Sequence, residues 1–152
     1  MKKLVIVFVS LIICAAVVAG CIFYIVTADT RYSKSLGEAF KAYSVADLDK
    51  CFSDDTVIIC GENKDTYNNL RNNVQEAFLI KDFEVVDLYG SSEDNGMFGE
   101  KDVGIHFYGT LNGENIGMGW IRIKLKISPL FGVSAESVEC DDAIFSYIFF
   151  GE

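Results

Sequence analysis

Few residues in this 152-residue chain have the type and setting for catalysis. The one arrangement that can be assembled is a carboxylate base acting on a carbon acid, with a tyrosine or protonated acid to hold the enolate oxygen. Asp87 is the candidate base, because it alternates with Phe83, Val85 and Tyr89 and so could face a pocket, with Tyr32, Tyr43 and Asp102 as possible neighbours. Against it, an aspartate on a strand in a chain with 22 acidic residues is usually just exposed. Other chemistries are excluded by inventory. His106 is the single histidine, so neither a histidine dyad nor a multi-histidine metal site can be built. There is no glycine-rich phosphate loop, no Gly-x-Ser-x-Gly and no carboxylate cluster with calcium-loop spacing; Asp94-Asn95-Gly96 reads as a turn. No metal or cofactor is implied.

Cysteine is the other reactive type. Val18-Ala19-Gly20-Cys21 is similar to the lipobox of bacterial lipoproteins, in which small residues let a peptidase reach the bond before a cysteine that carries lipid. Cys21 is thus a candidate lipidation site, although Ile22-Phe23-Tyr24-Ile25-Val26 continues the apolar run where a lipid-tethered chain usually turns polar. Cys14 also lies in the apolar segment, which leaves Cys51, Cys60 and Cys140. Three thiols allow at most one bridge, Cys51 to Cys60 or Cys60 to Cys140, and three buried free thiols are the expected state. No C-x-x-C occurs.

The element that positions everything else is the first one. Met1-Lys2-Lys3 precedes an apolar run from Leu4 to Val26, in which fifteen residues are Leu, Ile, Val or Phe. As a helix it is about 35 Å long, enough for a hydrocarbon core of roughly 30 Å. Inserting those fifteen side chains is favourable by about 4 to 9 kcal/mol, with no charge opposing. The expectation is an uncleaved single-span anchor over residues 1–26, with Tyr24 at the interface and the lipoprotein signal segment as the alternative. Either way the rest of the chain lies outside the cytoplasm. Lys2, Lys3 and the α-amino group outweigh Arg31 and Lys34 only slightly, so the positive-inside bias is small.

Residues 27–152 form one domain by size, with no repeat or low-complexity tract. They carry all 22 acidic residues and 11 of the 13 basic ones, a net charge of −11. Such a surface repels phosphate backbones, and nucleic acid is excluded as a partner.

Within the domain, helices come first and strands later. Tyr32, Leu36, Phe40 and Tyr43 share one helix face, in a helix opening near Asp29-Thr30. Ser44 to Asp47 reads as a capping box for a short helix with Val45, Leu48 and Phe52 inward, ended by Ser53-Asp54-Asp55. Thr56 to Cys60 is a brief strand, Gly61 to Lys64 a turn, and Asp65-Thr66 the cap of a helix burying Tyr67, Leu70, Val74 and Phe78. After Lys81-Asp82 the period becomes two: Phe83 to Tyr89, Val103 to Leu111, Ile116 to Ile127 and a closing strand Ala143 to Phe150. This is α+β with an antiparallel sheet.

The hairpin at Asn112-Gly113 can be registered from its side chains. A three-residue loop, Asn112 to Glu114, puts Val103, Ile105, Phe107 and Leu111 on one face with Ile121, Ile123, Leu125 and Ile127. It leaves His106, Tyr108, Met118, Trp120, Arg122 and Lys124 on the other. That second face is either cross-strand pairing on a solvated sheet or an interface, since Trp, Tyr, Met and Arg are enriched where proteins meet.

Helix, short helix ending in Asp49-Lys50-Cys51-Phe52-Ser53-Asp54-Asp55-Thr56-Val57-Ile58, third helix, then long antiparallel strands resembles the NTF2-like (cystatin-like) superfamily over Thr30 to Phe150. The resemblance implies three helices packed on a sheet curled into a cone with a pocket at its open end. Members of that superfamily include ketosteroid isomerases, SnoaL-like cyclases, dehydratases and many extracytoplasmic domains with no assigned activity, so fold alone does not decide a reaction. The expected role is binding, of a small apolar ligand in the cone or of a protein partner through the Trp120 face, a second copy included. Acid-base catalysis in the cone is the alternative.

Overall fold

Local sequence explains where each element starts. In the computed structural model, which describes residues 2–93, 99–128 and 132–151, α1 (Lys2–Val26) runs into α2 (Ala28–Lys41) with only Thr27 between them. The ladder barely breaks there, since the Thr27 amide donates to the Phe23 carbonyl at 3.1 Å and the Arg31 amide to the Thr27 carbonyl at 3.1 Å. Helix α2 buries Tyr32, Leu36, Ala39 and Phe40. Ser44 caps α3 (Val45–Cys51), its hydroxyl accepting from the Asp47 amide at 3.2 Å. The expected reciprocal half of the box is replaced, because the Ser44 amide donates to the Ala39 carbonyl.

Strand β1 (Phe52–Cys60) begins earlier than expected and takes in Phe52 and Ser53-Asp54-Asp55. A bulge between Phe52 and Val57 turns Thr56 inward, where its hydroxyl donates to the Ala135 carbonyl at 2.8 Å. Asn63–Thr66, expected as turn and cap, is β2, antiparallel to β1. Helix α4 (Tyr67–Ile80) buries Tyr67, Leu70, Val74 and Phe78 as its spacing requires. Thr66 makes no side-chain cap there; Asp65 instead accepts from the Thr66 amide and the Asn69 side chain, each at 2.7 Å.

Strands β3 (Phe83–Glu93), β4 (Gly99–Leu111), β5 (Glu114–Ser128) and β6 (Gly132–Cys140) complete a sheet ordered β2-β1-β6-β5-β4-β3. The expected turn Asp94-Asn95-Gly96 lies outside the described residues. Two features differ from the sequence-based expectation. Strand β6, unanticipated, inserts between β1 and β5 and pairs in parallel with β1, so the sheet is mixed. Ala143–Phe150 is a helix, α5, and not a closing strand. Asp142 caps it, accepting from the Ile144 amide at 2.7 Å, and Gly151 ends it in the left-handed region. A short run apolar on all sides carries no period that separates helix from strand.

The β4–β5 register agrees with expectation by a different route. The loop has two residues, with Leu111 opposite Glu114, and a bulge between Gly109 and Thr110 restores Ile105 opposite Ile121 and Val103 opposite Ile123. Those four, with Phe107 and Leu125, are fully buried in the core that also holds Phe40 and Phe78. Helix α5 sits between sheet and helices. Ile144, Phe145, Ile148 and Phe149 are all fully buried, and the Phe145 ring lies 5.0 Å from that of Phe40 and 4.9 Å from that of Phe107.

Candidate functional site

A bulge of one residue decides the fate of Asp87. Phe83 and Val85 point into the core, but the β3–β4 register shifts between Val85 and Asp87, so Val86 is extra and the alternation inverts. Leu88 then takes the inward place against Gly37, and Asp87 turns to solvent opposite Tyr108. Its carboxylate is 66% exposed, accepts from the Leu88 amide at 2.9 Å and lies 3.7 Å from Lys41 Nζ. The residues expected around it are engaged elsewhere. Tyr32 donates to the Cys51 carbonyl at 3.0 Å, and burial pushes its hydroxyl pKa well up. Tyr43 donates to the Phe83 carbonyl, and Asp102 stands in the β4 position opposite Glu93, at the far end of β3 from Phe83. The structure therefore does not gather these groups into an acid-base site.

The space at the heart of the cone is also taken. A ligand in a cone pocket would need the volume that the four buried α5 side chains fill. The recesses the surface does offer are open. One, of about 630 Å³, lies among Lys41, Tyr43, Lys81, Glu84 and Val86 at the ends of α2, α4 and β3. Another, of about 600 Å³, lies beside the α1–α2 junction, among Tyr24, Arg31, Lys34 and Lys50.

The outer sheet face, in contrast, is assembled as the register requires. His106 pairs with Trp120, Tyr108 with Met118 and Gly104 with Arg122. Tyr108, Met118 and Trp120 are 41%, 58% and 38% exposed, and Val86, delivered by the bulge, adds a fourth apolar side chain at 56%. The Arg122 guanidinium lies 4.9 Å from the Trp120 ring, a cation–π contact that orients both. His106 is half-buried within this face. The alternation of β4 and β5 marked five of these residues, whereas Val86 carried no signal because nothing in its neighbours announces a bulge.

Glycine controls the sheet beneath that face. Gly119 stands opposite Phe107, and a Cβ there would come within 2.2 Å of the Phe107 ring and 2.7 Å of Asp142 Oδ2. The cysteines divide into separate environments. Cys14 and Cys21 are exposed on α1. Cys51 is buried in α3, where burial pushes its thiol up to about 11. Cys60 and Cys140 are buried directly opposite each other on β1 and β6.

No family model and no curated protein matches the sequence. Solved structures do match the fold. An NTF2-like protein of unknown function in nutrient uptake from Rhodospirillum rubrum aligns over 74% of this chain and 96% of its own, with a TM-score of 0.55 at 14% identity. An NTF2-like protein from Cytophaga hutchinsonii aligns over 74% and 93%, with a TM-score of 0.56 at 14% identity. A ketosteroid isomerase candidate from Shewanella frigidimarina aligns over 77% and 97%, with a TM-score of 0.60 at 10% identity. Identities this low speak for architecture and not for chemistry. After its apolar first helix, the chain has the NTF2-like, cystatin-like cone fold.

Proposed function

We propose that this chain is a membrane-anchored binding module, its domain outside the cytoplasm, that meets a second copy of itself through the outer face of β4 and β5. The observation that carries the reading is the exposed cluster of Trp120, Tyr108 and Met118 with Arg122 laid over the tryptophan. Those types dominate interface cores, and a C2 contact needs only one such patch per copy. Anchoring is supported by α1, whose residues 6–26 form a helix of mean hydropathy 3.0 with no part buried by the domain over its most apolar window. Two-dimensional confinement raises the encounter rate of copies whose faces lie at the same height. A small apolar ligand is disfavoured by the filled cone, and the catalytic alternative by the solvent-facing Asp87.

The test is sedimentation of the full chain in density-matched detergent, compared with Trp120→Glu. The parent is expected to show a concentration-dependent dimer, weakened at least tenfold in the variant, because a buried carboxylate without a partner costs several kcal/mol. A parent that stays monomeric at the highest reachable concentration overturns self-association.

A further inference from the structure

We propose that Cys60 and Cys140 are a disulfide site, a cross-strand bridge that staples β6 to β1 when the chain folds in the presence of a disulfide donor such as oxidised glutathione. The two residues are partners in the β1–β6 register. Neighbouring strands run about 4.8 Å apart, inside the Cα separations of roughly 4.4 to 6.8 Å that disulfides span. Partnered residues in a pleated pair project to the same face, and both of these are buried, at 4% and 2% exposure. The Cys140 Sγ donates back across the pair to the Ile59 carbonyl at 3.4 Å, which keeps it against β1 beside Cys60. Cys51, in α3 at the opposite end of β1, is not placed to compete.

The chemistry is two thiol–disulfide exchanges. The Cys60 thiolate attacks one donor sulfur, forming a mixed disulfide and releasing the first donor thiolate. The Cys140 thiolate then attacks Cys60 Sγ, closing the bridge and releasing the second. Two protein thiols are oxidised, one donor disulfide is reduced, and the two protons end on the donor thiols. Timing follows from burial. The neighbouring Cys60 thiol and the loss of solvent hold the Cys140 thiol well above its ordinary range, so exchange is slow once the core has closed. It belongs to the moment when β6 docks beside β1. The bridge has a structural purpose there, since parallel pairing is the less stable kind and this pair holds the strand that leads into α5.

The experiment is refolding of the reduced full chain in detergent, with and without a glutathione redox buffer, followed by alkylation and peptide mapping. The expected product in redox buffer is the Cys60 peptide joined to the Cys140 peptide, two hydrogens lighter, with Cys51 alkylated. Because the bridge closes a loop of about 80 residues, its reduction lowers the thermal midpoint on the order of 10 °C. Cys60→Ala abolishes that reductant-sensitive shift. Recovery of Cys60 and Cys140 both alkylated in chain whose circular dichroism matches the parent, or a bridge to Cys51, overturns the proposal. This outcome is independent of whether Trp120 mediates self-association.

Discussion

Asp142 shows how much one carboxylate can be asked to do. It caps α5 through one oxygen while the other faces Gly119 beneath the sheet, and burial raises its pKa above the ordinary carboxylate value. Between the unfolded value, about 4, and the raised folded one, the folded chain holds this proton more firmly than the unfolded chain, so stability from this group falls as pH rises. Asp49 runs the other way. The Arg71 guanidinium, donating at 2.9 and 2.7 Å, is the main cause of its lowered pKa. Its contribution is present above the unfolded value and is lost as pH falls through the folded one. Asp142→Asn keeps the cap and removes the charge, so it should match the parent near pH 4 and exceed it at pH 8. Asp142→Ala should be about 1 kcal/mol less stable than the Asn variant at both. Urea midpoints at the two pH values measure this, and an Asn variant weaker than the parent at pH 8 contradicts it.

At the scale of elements, α5 is the part of the core with most to lose. Phe145 touches rings from α2 and β4, and Phe149 lies 6.2 Å from Phe52 of β1. Phe145→Ala is expected to cost about 3 to 5 kcal/mol, read by chemical denaturation of the full chain, with the largest effect if the cavity cannot collapse. A loss below about 1 kcal/mol would mean that α5 is a loosely held plug. Most of the element order was legible in the sequence, and so was the β4–β5 register, because its two faces differ sharply in polarity. Helix α5 was not, since an apolar run surrounded by core looks alike in either periodicity. Strand β6 was hidden by its small and polar residues, Ser134, Glu136 and Ser137 among them. The candidate site was legible in the same proportion: the shared face of His106, Tyr108, Met118 and Trp120 followed from alternation, whereas Asp87 was turned to solvent by a bulge at an ordinary valine.

For the whole molecule, the decisive measurement is the mass of the mature chain extracted from membranes. An intact N-terminus, with or without the initiator formyl group, is expected for an uncleaved span. Support comes from α1 continuing unbroken through Cys21 to Val26 and from Ile25, which is buried against Ala28, Ile127 and Val133. A chain that begins at Cys21 with added acyl mass would instead establish the lipoprotein. The junction of α1 with the domain is held by several contacts. The Arg31 guanidinium sits 3.7 Å from the Tyr24 ring centroid, and Lys101 reaches Asp29 at 3.5 Å with both largely buried.

With one residue, Thr27, standing where a flexible tether would ordinarily lie, the cone rides its helix like a head fixed to a mast. In the proposed membrane-spanning arrangement, any lean of α1 becomes a lean of the Trp120 face, and the reach for a neighbouring copy is set by lateral diffusion and helix rotation. Lengthening that joint with glycine and serine would loosen the coupling by parting Ile25 and Tyr24 from the domain, while leaving the Trp120 face itself unchanged.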